Sequence, residues 1–180
     1  EIDLVFKRQK LDKIRLVVLI DNGGSSMTPH VNLTRLLFSK VRSRFKDCST
    51  YYFHNTIYNC VYKDPQHRVP LPLQELLRYS EDTRLFIIGD ASMGPHELFD
   101  SYGAISFDRE DHVPSIERLE TLRDHFKYAV WLNPIHKEQW AEIYGTWTLT
   151  KIADIFHMED MTLEGIKNAV AHLRSVAKRA

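Results

Sequence analysis

The sequence predicts an α/β domain: a doubly wound, mainly parallel sheet flanked by helices, Rossmann-like, with one antiparallel edge strand. Three observations predict it. Short apolar runs within Ile14–Ile20, Arg84–Gly89 and Tyr128–Leu132 are of strand length and rich in β-branched residues and leucine. Such runs suit strands covered on both faces, as in parallel sheets. Helical periodicity falls between them, the alternation expected of βαβ units. Each run also leads into a polar residue: Asp21, Asp90 and Asn133. In a doubly wound sheet these positions gather along the carboxyl edge, where ligands bind.

The first run, Ile14–Ile20, reads as a buried strand, and Asn22-Gly23-Gly24-Ser25-Ser26 as a tight polar loop. Thr28-Pro29 reads as a helix start, with Val31, Leu33, Leu36, Leu37, Val41 and Phe45 recurring at near-helical spacing. Thr50–Phe53 and Cys60–Tyr62 read as two short strands joined through Asn55-Thr56. Pro65–Pro72 reads as a loop and Leu73–Leu77 as a short helix. After the second buried run, Ser115–Phe126 is a helix with Ile116, Leu119, Leu122 and Phe126 on its apolar face. Asp154–Met158 is a last short strand. Thr162 then caps a final helix with Ile166, Val170, Leu173 and Ala177 inward.

With 180 residues the chain is of single-domain size, read as a leader or linker over 1–12 and a domain over 13–180. Lys plus Arg and Asp plus Glu number 24 each. That balance removes the electrostatic argument for non-specific binding to nucleic acid or a membrane surface. No apolar run approaches bilayer length. Cys48 and Cys60 make no disulfide framework and read as buried thiols, which suits a reducing, cytoplasmic setting. The nine histidines are scattered, without a metal-ligand spacing, and read as structural; His30 and His54 fall nearest the strand ends.

The chemistry gathers at Asp21-Asn22-Gly23-Gly24-Ser25-Ser26. A carboxylate at a strand end followed by hydroxyls offers hard oxygen ligands, and Asp90 adds a second carboxylate from a neighbouring strand. Two Asp and one or two Ser suit Mg²⁺, which takes oxygen ligands and keeps several waters. Gly23-Gly24 lacks the Lys and Thr or Ser spacing of a phosphate-binding loop. Ser92 could donate to Asp90, Asn133 could support the site loops, and Thr56 sits in the nearby turn. Trp131, Trp140, Trp147 and Tyr144 make one region aromatic-rich, read as packing with a protein-contact patch as the alternative.

Asp21-x-Gly23-x-Ser25 resembles the metal-ion-dependent adhesion site of von Willebrand factor A (VWA) domains. In particular, it resembles the bacterial CoxE-like subgroup, with its variant Asp-x-Gly-Gly-Ser motif. Tyr52-Phe53-His54-Asn55, Gly89-Asp90-Ala91-Ser92-Met93, Trp131-Leu132-Asn133-Pro134 and Thr162-Leu163-Glu164-Gly165 follow in the order of that subgroup. The resemblance implies metal ligands at Asp21, Ser25 and Asp90, with Gly23, Ser26, Thr56, Ser92 and Asn133 as supporting positions. It implies Mg²⁺, with Mn²⁺ or Ca²⁺ as alternatives, and a partner protein such as a MoxR-type AAA+ ATPase. Gly23 departs from the usual serine, and the family's threonine has no secure match. The implied function is a non-catalytic interaction module. The competing readings are a Mg²⁺-dependent nuclease or phosphatase using Asp21 and Asp90, and a structural domain with a degenerate site.

Overall fold

The computed structural model describes residues 15–30, 32, 34, 36, 47–104 and 112–174, the side chain of Ser25 excepted. The leader over 1–12, and the expectations for Val31, Leu33, Leu37, Val41, Phe45 and Ala177, lie outside the described residues. Among the described residues, seven strands form one sheet: β1 (Arg15–Asp21), β2 (Asp47–Phe53), β3 (Cys60–Tyr62), β4 (Pro70–Pro72), β5 (Arg84–Ile88), β6 (Tyr128–Asn133) and β7 (His157–Asp160). Their order is β4-β3-β2-β1-β5-β6-β7. β2, β1, β5, β6 and β7 pair in parallel. β3 runs against β2, and β4 runs against β3. The fold is therefore the α/β class that the sequence predicts. Its one reversed strand, β3, lies inside the short edge strand β4.

Strand alternation builds two cores, one on each face. Val17, Leu19, Leu85, Ile87, Ala129 and Trp131 face one side, against Leu119, Leu122, Leu149 and Ile152 from the helices. Leu16, Val18, Ile20, Phe86, Ile88, Val130 and Leu132 face the other, against Ala169 and Leu173. A period of two places neighbours on opposite faces, so a continuous apolar run is needed only where both faces are covered.

The helices with both ends among the described residues are α1 (Gly24–Met27), α2 (Leu73–Leu76), α3 (Pro95–Phe99), α4 (Ser115–His125), α5 (Thr146–Ile155) and α6 (Leu163–Arg174); Asn32, Thr34 and Leu36 are helical as well. Several boundaries differ from the sequence expectation. Helical structure starts at Gly24, so Thr28 is not the cap; its hydroxyl donates back to the Gly24 carbonyl. Leu36 is exposed, whereas Thr34 is buried. Pro70–Pro72 is a strand, because an outermost strand tolerates proline, which lacks a ladder N–H. Helices α3 and α5 lie where no helix was expected. Asp154 belongs to α5, and the last strand follows it. Thr162 does cap α6, accepting the Gly165 N–H. The buried stripe of α6 is Gly165, Ala169 and Leu173, with Ile166 and Val170 only half-buried. Cys48 and Cys60 form no disulfide and are half-buried rather than buried.

Candidate functional site

The sheet winds outward in opposite directions from β1 and β5: the chain goes from β1 to β2 on one side, and β5, β6 and β7 follow on the other. The carboxyl ends of these two strands flank the topological switch point, the usual crevice of such folds. Asp21 is the last residue of β1, and Asp90 follows β5 by two residues. They are 1% and 2% exposed.

Each carboxylate is half satisfied. Asp21 Oδ1 accepts the backbone N–H of Gly23 at 3.0 Å and of Asn55 at 3.2 Å. Asp90 Oδ1 accepts the N–H of Ser92 at 2.9 Å. The Oδ2 atoms of both are buried without a hydrogen-bond partner. Burial pushes the Asp21 carboxyl well above the usual carboxylate range, and the Asp90 charge pushes it further; the two backbone bonds only partly offset this. Two orphaned carboxylate oxygens at one crevice are costly unless something positive is shared between them.

The surrounding loops hold this arrangement in place. Gly89 lies tight against Asp21: a β-carbon there would stand 3.1 Å from Asp21 Cβ and 3.3 Å from the Trp131 ring. Trp131 Nε1 donates to the Gly89 carbonyl at 2.8 Å. Ala91 adopts a left-handed backbone, φ 57°, and so does Asn55, φ 59°. Such conformations cost energy outside glycine and cluster where loops serve a site. The Thr148 hydroxyl helps hold the turn after Asp90, within hydrogen-bonding distance of the Ala91, Met93 and Gly145 carbonyls.

The remaining expected residues divide. Asn133 is fully buried; its Nδ2 donates to the Asp90 carbonyl at 2.8 Å and its Oδ1 accepts the Ile135 N–H at 2.9 Å. It braces the loop rather than facing a ligand. Ser92 contributes its backbone N–H to Asp90, and its side chain stands where a β-carbon on Gly145 would lie. The Thr56 hydroxyl is committed to Ser115, whose own hydroxyl reaches the Ile57 carbonyl at 2.9 Å. Ser26 is exposed on α1. The backbone of Ser25 belongs to α1, and its side chain lies outside the description.

Two roles at the site escaped sequence reasoning. Glu97, buried in α3, accepts the Gly94 N–H at 3.0 Å and the Asn55 Nδ2 at 2.9 Å. Its charge adds to the pressure on Asp21. The spacing Gly94-x-x-Glu97 is a helix-start signal that could have revealed it. Asn55 ties Asp21 to Glu97 through its backbone and side chain, and no local pattern marks that role. Among the described residues, no three His, Cys, Asp or Glu side chains form a group that could hold a metal ion. A cation held by Asp21 and Asp90 would complete its shell with hydroxyls and water. Compared with known proteins, the chain matches no family model, and no similar curated protein or solved structure is found.

Proposed function

We propose that this chain is a non-catalytic protein-interaction module of the VWA type, whose crevice binds a divalent cation and, through it, a carboxylate of a partner protein. The observation that carries the reading is the pair of buried, half-satisfied carboxylates, Asp21 and Asp90, beside the switch point. A divalent cation neutralises both charges and gives the orphaned oxygens a partner. Oxygen donors favour Mg²⁺, with Mn²⁺ as a close substitute. The motif resemblance adds the Ser25 hydroxyl as a ligand.

The surface beside the crevice supports a protein partner. Tyr144 is 95% exposed and Trp147 half exposed, on either side of Gly145, which abuts Ser92. Exposed aromatic residues of this kind anchor interfaces. A MoxR-type AAA+ ATPase is the partner class that the resemblance implies. Thiols at Cys48 and Cys60 suit a reducing, cytoplasmic setting. Among the described residues, no helix is long and apolar enough to cross a membrane.

Calorimetric titration with MgCl₂ and MnCl₂ tests the reading. Saturable binding by the intact chain, abolished in Asp21→Ala and in Asp90→Ala, is the expected result. No binding of either ion by the intact chain overturns it.

A further inference from the structure

Asn22, between Asp21 and Gly23, is tied at both ends of its amide. Its Nδ2 donates to the Pro65 carbonyl at 2.7 Å, and its Oδ1 lies 2.6 Å from His67 Nε2. With the NH₂ spent on a carbonyl, Oδ1 is the acceptor, so His67 carries a proton on Nε2. Asn22 therefore has a mechanical task and is no ligand.

The other end of the tie is held from several sides. The His67 ring stacks on Tyr62 of β3, centroids 4.5 Å apart and planes 12° apart. The His67 backbone is left-handed, φ 57°. Asp64 folds the turn around it, accepting the N–H groups of Gln66, Arg68 and Val69 at 3.1, 3.0 and 2.7 Å. Although desolvation opposes them, these bonds hold the Asp64 carboxyl below the usual range. In the sheet order β3 and β1 lie on either side of β2, so the turn reaches past β2 to the loop after β1.

We propose that Asn22 and His67 are positioning residues of the cation site: the 64–69 turn clasps the loop after β1 and fixes the aim of the Asp21 carboxylate. The inference rests on the cation reading above. It assigns a task to the edge hairpin β3–β4, which otherwise only extends the sheet. Groups that orient a metal ligand from behind matter nearly as much as the ligand, and losing one weakens binding about tenfold or more.

The test compares the intact chain with His67→Ala, His67→Asn and, as a control in the exposed turn after α2, Arg78→Ala. Asn tolerates the left-handed backbone, so His67→Asn separates the imidazole from the turn conformation. Titration with MgCl₂ is expected to show about tenfold weaker binding in both His67 variants and no change in Arg78→Ala. Hydrogen exchange at the Gly23 N–H, followed by NMR without metal, is expected to accelerate in the same two variants. Asn22→Ala combined with His67→Ala is expected to be no worse than either alone. Unchanged affinity and unchanged Gly23 exchange in the His67 variants overturn the inference. Failure of the cation reading looks different: the intact chain then binds no Mg²⁺. The clasp is in that case decided by exchange alone, upheld by acceleration at Gly23 and overturned without it.

Discussion

His54 occupies the space that a side chain at position 23 would need. A β-carbon on Gly23 would lie 2.0 Å from His54 Cδ2, 2.2 Å from Cγ and 2.7 Å from Cβ. The clash reaches the root of the imidazole, so a rotation of the ring tip does not relieve it. The glycine at position 23 and the histidine just after β2 are therefore one structural feature, and the glycine is obligatory while His54 is present.

Gly23→Ser is accordingly expected to destabilise the fold by about 1–3 kcal/mol, the usual cost of overpacking. His54→Ala in the same chain is expected to recover most of that loss. Urea denaturation of the two single variants and the double variant measures the coupling; strictly additive effects would refute it.

Asp21→Asn is expected to stabilise the metal-free chain while abolishing cation binding. The amide oxygen can keep the Gly23 and Asn55 N–H bonds, and the buried charge beside Asp90 disappears. Removing an uncompensated buried charge is worth on the order of 1–3 kcal/mol. Thermal unfolding in EDTA, with and without the substitution, provides the check. An Asp21→Asn melting temperature at or below that of the intact chain would contradict the account.

The pH dependence follows with a definite sign. Asp21 has a folded-state pKa raised above its unfolded value, so the folded chain holds that proton more tightly. Its contribution is most favourable below the unfolded pKa, about 3.9, and is lost as pH rises through that value to the raised one. Other carboxylates have their own slopes, so the informative quantity is the stability difference between the intact chain and Asp21→Asn. That difference is expected to widen with rising pH in EDTA and to narrow or reverse in excess Mg²⁺. Denaturation midpoints across the acid-to-neutral range read it directly. Mg²⁺ affinity is likewise expected to rise with pH, because the cation displaces a proton from Asp21.

Asn133→Ala is expected to cost about 1–3 kcal/mol, since it removes one buried and one partly buried hydrogen bond and strands the Asp90 carbonyl and the Ile135 N–H. Because that carbonyl belongs to a site residue, cation affinity should fall as well. Chemical denaturation and calorimetry on the same variant separate the two effects. A loss of stability with unchanged affinity would confine Asn133 to the fold.

The sequence by itself determined the central strands of the sheet. Leu16–Ile20, Leu85–Ile88 and Tyr128–Leu132 are apolar without interruption, and only strands covered on both faces have use for that pattern. The polar residues after them place Asp21, Asp90 and Asn133 at one edge. Tertiary structure decided what each does there. Asn133 was legible as a strand-end residue, but its bonds to Asp90 and Ile135 depend on where two loops meet. Thr56 lies near the site in the chain, and its hydroxyl goes to Ser115, 59 residues away. The aromatic group splits: Trp131 is buried in the core, Trp140 packs against it, and Trp147 is half exposed. Glu97, Asn55 and His67 join the site only through folding, from α3 and from the loops flanking β3. Periodicity reports the faces of each element because it follows from backbone geometry that repeats locally. Hydrogen bonds between residues 34 to 59 positions apart have no local period, and only the packed chain fixes them.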